Sequence, residues 1–323
     1  MDAATLDGLD RKIVHALHIG PRAPFRLIGA AVGVSDQTVA RRYHALRRRA
    51  GLRVIGRIDG RAVGWSNWLL RLQCTPDAAV AVAVALARRH DTSWVRLASG
   101  GTEIICAMSA ASAEDWDELV LEKLTGSRRI VGINAYSLLH VFAGMTTGWI
   151  PAMEALDAEQ VALLRRADAP APSGPMELTP ADGVLTSALA REGRATHAEL
   201  ASLTGWHEST VRRRIEALSA AGILYFDVDI DEAAFGVRAA AHLWLSVAPS
   251  GLAAVGEGMA ADREVAFAAA TSGPTNLMAS VVCADSSALY RYLSERIGGY
   301  EGALRVETSP VVRTLKRAGA LSP

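Results

Sequence analysis

Two stretches of the chain, SDQTVARRYHAL at residues 35–46 and HESTVRRRIEAL at residues 207–218, follow one pattern. Shifted by 172 residues, Gly33 falls on Gly205, Thr38 on Thr210, Val39 on Val211, Arg41 and Arg42 on Arg213 and Arg214, and Ala45 and Leu46 on Ala217 and Leu218. The match extends outward. AGL at 50–52 meets AGI at 221–223 after a one-residue slip, Asp59 and Gly64 meet Asp231 and Gly236, and LASGGTEIICAM at 97–108 meets ATSGPTNLMASV at 270–281. The 323-residue chain therefore reads as two copies of a unit of about 150 residues, the size of an ordinary domain or two small ones.

The first third of each unit predicts three short helices. In copy 1, Leu6, Leu9, Ile13 and Leu17 recur at helical spacing before a Gly20-Pro21 break, and Ile28 and Val32 mark a second helix. Copy 2 opens with LTPAD, in which Thr179 can cap, Pro180 suits the first helical position and Asp182 favours the positive helix end. In the third helix Val39, Tyr43 and Leu46, and Val211, Ile215 and Leu218, fall on one inward stripe. The opposite face of copy 1 carries Gln37, Arg41, His44 and Arg48, with Thr38 and Arg42 on its flank. A short helix, a Gly-containing turn and a second helix with a polar N-terminal turn is the helix-turn-helix, whose second helix enters the major groove of double-stranded DNA.

Arginine forks suit guanine, glutamine suits adenine, and Ser, Thr and a helix N-terminus suit phosphate. Gln37, Arg41 and His44 are thus the expected base readers, with Ser35, Thr38, Arg42 and Arg48 on the backbone. In copy 2, Ser209 and Arg213 take the reading role and Thr210, Arg212 and Arg214 the backbone. The copies differ in charge. Residues 1–57 hold eleven Arg and Lys against four Asp and Glu, whereas residues 177–224 hold five Arg against six acids, including Glu216 at the position of His44. Copy 2 is expected to bind DNA more weakly or to read a different half-site.

The remainder of each unit predicts strand, helix, strand, strand, helix, strand. Copy 1 supplies WLLRLQC (68–74), a helix over 76–90, SWVRLAS, TEIICAM, a helix over 113–124 and IVGINAYSLLHVF; copy 2 supplies HLWLSVA, a helix near 251–261, EVAFAAA, LMASVVC, a helix over 287–297 and ALRVETSPVV. This order is the ferredoxin-like split βαβ arrangement, one face of whose sheet needs cover. The fold class is α+β. The expected domains are a winged-type helix-turn-helix at 1–57, a ferredoxin-like domain at 58–143, a connector at 144–176, a second helix-turn-helix at 177–226 and a second ferredoxin-like domain at 227–323. In the connector, Asp157 and Gln160 have capping-box spacing, and prolines 170, 172 and 175 predict a stiff linker.

Composition excludes several classes. Cys74, Cys106 and Cys283 have neither disulfide nor zinc spacing and lie in apolar runs, so they read as small buried hydrophobes. No paired His and carboxylate pattern suggests a metal, no phosphate-binding loop or Gly-x-Ser-x-Gly elbow is present, and no cofactor is expected. VGEGMA at 255–260 falls where a helix is needed and reads as a poor helix. No apolar run reaches the roughly 18 residues that cross a bilayer, and MDAATLDGLDRKIV does not direct export, so the expected location is the cytoplasm.

The helices VARRYHALRRRAGL and VRRRIEALSAAGI, the connecting IDGRAVG and IDEAAFG, and the turns SGGTE and SGPTN resemble, in this order and twice over, the leucine-responsive/AsnC (Lrp/AsnC) family of transcription regulators. Family members have one such unit and dimerise through their sheets. The resemblance therefore implies an intrachain pseudo-dimer with two unlike reading helices, a homodimer or higher homo-oligomer of the whole chain, and a small-molecule effector, an amino acid or another metabolite, near the turn between the middle strands. That turn is Ser99, Gly100, Gly101, Thr102 and Glu103 in copy 1, and Ser272, Gly273, Thr275 and Asn276 around Pro274 in copy 2; the family's first acidic residue is missing from both. The resemblance also reaches sirohaem decarboxylases of the same plan, which rely on His and Arg at the sheet interface. Here His140 and His242 lie in predicted strands, where buried, hydrogen-bonded histidines are expected, and no Arg-His cluster surrounds the first strand. The expected function is regulation of transcription without catalysis; a decarboxylase, or a ligand-binding protein with residual DNA contact, is the alternative.

Overall fold

The computed structural model describes residues 5–144, 155–165 and 176–319; the Pro-rich linker expected at 170–175 lies outside them. The chain forms two compact units, each assembled from both copies: Met1–Gly64 with Ala152–Phe235, and Trp65–Pro151 with Gly236–Pro323.

The first unit holds the helical thirds. Copy 1 contributes α1 (Gly8–Ile19), α2 (Phe25–Val32) and α3 (Asp36–Arg49). Asp7 caps α1 by accepting the Asp10 N–H at 2.8 Å, and α2 stops at Gly33, whose φ of 78° suits glycine. In copy 2, α7 (Pro180–Arg191), α8 (His197–Thr204) and α9 (Glu208–Ala220) repeat this, with Gly205 ending α8 at a φ of 74°. Val39, Tyr43 and Leu46, and Val211, Ile215 and Leu218, are the buried positions of α3 and α9, as their spacing requires. The strand after each reading helix, β1 (Arg53–Ile58) or β6 (Leu224–Asp229), pairs antiparallel with its counterpart. The two modules also exchange arginines. Arg22 donates to the Gly193 and Ala195 carbonyls, the latter at 2.8 Å, and Arg194 donates to the Pro21 and Ala23 carbonyls at 2.6 and 2.8 Å. The connector forms α6 (Ala158–Leu164), capped by the expected Asp157–Gln160 box, with Leu164 buried in the copy 1 core.

The second unit is a closed eight-stranded barrel. Copy 1 supplies β2 (Ser66–Cys74), β3 (Thr92–Ala98), β4 (Glu103–Ala110) and β5 (Ile130–Ala143); copy 2 supplies β7 (Ala239–Val247), β8 (Val265–Thr271), β9 (Leu277–Cys283) and β10 (Ala303–Lys316). Their order is β10-β3-β4-β2-β5-β8-β9-β7, closing on β10. Closure comes from the two 14-residue strands. β5 pairs through Ser137 with its own β2 and from Leu138 with β8 of the other copy; β10 pairs through Pro310 with β7 and from Val311 with β3. The barrel leaves no strand edge open. The helices α4 (Ala79–Ala87) and α5 (Ala113–Trp116, continuing as a π-helix over Asp117–Leu124) cover copy 1 from outside; α10 (Leu252–Ala260) and α11 (Ser286–Arg291) belong to copy 2. VGEGMA lies in α10, and its Gly256 leaves the room that the Phe142 ring of copy 1 occupies. Leu69, Ile105, Tyr136, Trp244 and Met278 pack inside the barrel, so each sheet covers the other.

Candidate functional site

Serine 35 caps α3, its Oγ accepting the Thr38 N–H at 3.2 Å and lying 3.0 Å from Thr38 Oγ1. Gln37, Arg41, His44 and Arg48 are exposed along one side of the helix. In α9, Ser209, Arg212, Arg213 and Glu216 are exposed and Thr210 is half-buried. Arg42 and Arg214 differ from the backbone-contacting role expected of them. Arg42 donates to Asp7 at 2.5 Å and Asp10 at 3.2 Å, and Asp10 also accepts from Arg49. Arg214 donates to Asp182 at 2.6 and 2.7 Å and to the Glu177 carbonyl at 2.9 Å. Asp10 and Asp182 are fully buried, so each arginine ties the reading helix to the first helix of its module. Among the described residues, Arg41, Arg48, Arg212 and Arg213 have no carboxylate within ion-pair distance; these are the cations α3 and α9 present outward.

The expected effector turns are exposed at Ser99, Gly100 and Gly273, but the side chains of Ser99, Glu103, Ser272 and Asn276 are engaged internally, while Thr275 Oγ1 is buried without a partner. Glu103 is wholly buried and accepts from Arg71, from Gln73 Nε2 at 3.1 Å and from Ser99 Oγ at 2.7 Å. Asn276 closes the other turn on Val247, accepting its N–H at 2.8 Å and donating to its carbonyl at 2.9 Å. Ser272 Oγ accepts the Ser137 N–H at 2.9 Å. These contacts shape the turns. They leave Gly100, Gly101, Thr102, Gly273 and Thr275 as the remaining candidates for an external ligand.

The barrel interior holds an arrangement that the sequence reading excluded. His242 on β7 is 3% exposed and neither ring nitrogen has a hydrogen-bond partner, whereas His140 is exposed beside Phe142. Both differ from the buried, hydrogen-bonded histidine expected. Burial, then the nearby Arg96 and Arg71, push His242 well below its ordinary 6.5, so it is neutral. Arg96 reaches across from β3 and donates to Ser280 Oγ at 2.8 Å. A bulge puts it there. Ser93 stands opposite Ala107 but Arg96 opposite Ile105, and the extra residue at Trp94, with φ of 54°, gives Arg96 the inward place that Val95 would otherwise take. Arg71 lies 5.0 Å over the Trp244 ring and is shared between Glu103 and Glu307, an Arg-carboxylate pairing that holds Glu307 below its usual range. Arg71 on β2, Arg96 on β3 and His242 on β7 thus bring two arginines and one histidine into the interior, against the expectation of no such cluster. Elsewhere, among the described residues, no three His, Cys, Asp or Glu side chains gather to hold a metal, no helix is long and apolar enough to cross a membrane, and Cys74, Cys106 and Cys283 are buried free thiols.

Two family models match this framework. An AsnC-type helix-turn-helix domain matches residues 6–47 and again 182–219, and an Lrp/AsnC ligand-binding domain matches 240–321. The chain belongs to the Lrp/AsnC family. It is a DNA-binding regulator type with a ligand-binding domain, built here as a tandem. An uncharacterized HTH-type transcriptional regulator of Pyrococcus furiosus is 28% identical over 132 residues, 41% of this chain and 88% of its own length. Among solved structures, the siroheme decarboxylase NirDL superposes with a TM-score of 0.64 at 14% identity, over 98% of this chain and 94% of its own; NirDL in co-complex with an iron-uroporphyrin III analogue gives 0.61 at 14%, over 93% and 88%. At that identity the likeness is one of fold. For this Lrp/AsnC chain, the signal that would have found the interior cluster was its own repeat. A shift of 173 residues sets Leu69 against His242, Ala107 against Ser280 and Tyr136 against Ser309, so polar residues stand in copy 2 where copy 1 has apolar or aromatic ones.

Proposed function

We propose that this Lrp/AsnC protein regulates transcription as its own dimer, with α3 reading one half-site through Gln37, Arg41 and His44 and holding phosphate through Ser35, Thr38 and Arg48. The observation that carries this is the division of labour on α3: Arg42 is spent on Asp7 and Asp10, while Arg41 and Arg48 point outward beside a capped N-terminus. α9 takes the second half-site through Ser209 and Arg213, aided by Thr210 and Arg212, with Glu208 and Glu216 exposed on the same helix weakening its hold on phosphate. Arg42 and Arg214 serve as positioning residues. A small effector tunes binding, whole chains assemble further, and the protein works in the cytoplasm, where its DNA is.

The test is selection of bound sequences from random duplex DNA, comparing the intact chain with Arg41→Ala and Arg213→Ala. The reading expects a two-part motif whose halves respond to different variants, and absence of any enriched sequence overturns it. Light scattering tests the assembly, which a monomeric mass at working concentration would refute. One observation favours a second reading, siroheme decarboxylation: Arg71, Arg96 and His242 meet at the sheet interface of a NirDL-like fold. Against it, the interior is occupied by Leu69, Ile105, Tyr136, Trp244 and Met278, in keeping with an eight-stranded barrel filled by side chains. An absorbance titration with a tetrapyrrole decides between them.

A further inference from the structure

Three adjacent strands bring Ser280, His242 and Ser309 into one row on the inner wall of the barrel, since His242 is in register with both serines. Trp244 follows two residues along β7 on the same face, opposite Glu307. Both nitrogens of His242, Ser309 Oγ and Trp244 Nε1 are buried without a hydrogen-bond partner. Unpartnered buried groups are rare in folded proteins, and four on one patch point to something that completes them.

The chemistry of the four selects what that is. An indole N–H only donates, a guanidinium only donates, and a neutral imidazole and a serine hydroxyl each have one proton to give. Ser280 Oγ already accepts from Arg96, which turns its own O–H outward as a donor and brings a positive charge to the row. Trp244, His242, Ser280 and Ser309 thus offer four donors beside a cation, with the second imidazole nitrogen as the one obligate acceptor, and burial raises the strength of each contact, so the patch is complementary to a group that chiefly accepts.

We propose that the row Ser280–His242–Ser309, with Trp244 and Arg96, binds a single small oxyanion, the carboxylate or phosphate head of the regulator's effector. It extends the effector part of the function proposed above and does not depend on DNA binding. Among the described residues the two copies do not both carry such a row. The equivalent row in copy 1 is Ala107–Leu69–Tyr136, and the counterpart of Arg96 is Ala269, so that row offers an anion no matching set of donors, and the copy 1 cation on the same face, Arg71, is already shared between Glu103 and Glu307. Solvent lies close by: two residues along β10 from Ser309, the Glu307 side chain is 42% exposed. The turns at 99–103 and 272–276 then serve as structure, consistent with the internal bonding of Glu103 and Asn276.

The experiment titrates the intact chain with oxalate and, separately, with inorganic phosphate, at ionic strength held constant with chloride, following the melting temperature and tryptophan fluorescence. The parent protein should show a saturable rise in melting temperature with at least one probe. Response to oxalate alone assigns a carboxylate head, and response to phosphate alone a phosphate head. Ser309→Ala and His242→Leu should each weaken the apparent affinity at least tenfold while keeping a cooperative transition; the serine change removes one hydroxyl, so it decides the matter if the histidine variant does not fold. A protein indifferent to both probes holds water only in the row, and a response unchanged in both variants places the anion elsewhere; either result overturns the proposal. Because no DNA is present, a failed operator selection leaves this result standing, and the reverse.

Discussion

The two halves of the barrel share a backbone and differ on one face. On the helix-covered side, Leu70, Leu72, Ile104, Cys106 and Met108 of copy 1 correspond to Leu243, Leu245, Leu277, Ala279 and Val281 of copy 2, all buried and apolar. On the inner side, Leu69, Ala107 and Tyr136 correspond to His242, Ser280 and Ser309. The difference has a physical origin. Each outer face packs on its own copy's helices and must stay apolar twice, whereas the inner face is shared, so a polar group on one wall can be answered from the other. Fusing two units in one chain removes the demand that both walls be alike, a demand a homodimer cannot escape.

The largest effect expected from that contrast is at Leu69. Leu69→His would bury an imidazole between Ala107 and Tyr136, losing well-packed apolar volume and gaining an unanswered polar group, for a loss of about 3–5 kcal/mol in urea unfolding. The reverse change, His242→Leu, removes a buried group that has no partner and should leave the ligand-free protein within about 1 kcal/mol of the parent, or above it. Equal penalties for the two would break the comparison.

Next come the paired arginines of the helical unit. Arg214→Ala leaves the buried Asp182 with Thr179 alone and should cost about 3 kcal/mol, because an unpaired buried charge is worse than none. Arg42→Ala leaves Asp10 still paired with Arg49 and should cost clearly less. Thermal unfolding of the two variants sharpens the comparison of copies, and a larger loss in Arg42→Ala would invert it. On DNA, Arg41→Ala should cost about 1–3 kcal/mol at one base position, while Arg48→Ala should weaken all sequences alike and flatten the salt dependence. Arg213→Ala, on the more acidic module, should do less than Arg41→Ala. Equal losses on specific and random duplexes for Arg41→Ala and Arg48→Ala would remove Arg41 from the base-reading set.

What was legible beforehand follows from how far each signal reaches. The stripes of α3 and α9, the Asp157–Gln160 cap and the strand order are local periodicities and local hydrogen bonds, and they stand in the structure where the residues put them. Arg42 lies on the flank of its helix, where a rotation of a few tens of degrees separates solvent from Asp10, and nothing within the helix itself names a carboxylate 32 positions away. The exchange of β5 and β10 between sheets showed only as two long strand-like runs. His242 alternates correctly for a strand, but which face is inner, and what stands across from it, is decided by the other copy.

The smallest effect is the most discriminating. His242 is held neutral by burial and by Arg96 and Arg71, the latter itself paired with Glu103 and Glu307. Its folded value lies below the ordinary 6.5, so beneath pH 6.5 the unfolded chain takes up a proton that the folded chain refuses. Unfolding then gains a proton, and stability must fall as pH drops from about 6.5 toward 5, by up to about 1.4 kcal/mol per pH unit. His197, also lowered by burial, adds in the same direction, so the parent's slope alone proves little. The difference between the parent and His242→Leu isolates the contribution of His242, because the variant keeps His197 and every other histidine. Glu307, held down by Arg71, titrates below this window and does not enter it. Urea unfolding at pH 7.5, 6.5 and 5.5 should show the variant losing less stability than the parent across the last interval. Parallel curves would mean that His242 accepts its proton in the folded state, and the contrast between a dry apolar row and a donor-rich one would then have to be redrawn as a contrast between a dry row and a hydrated one.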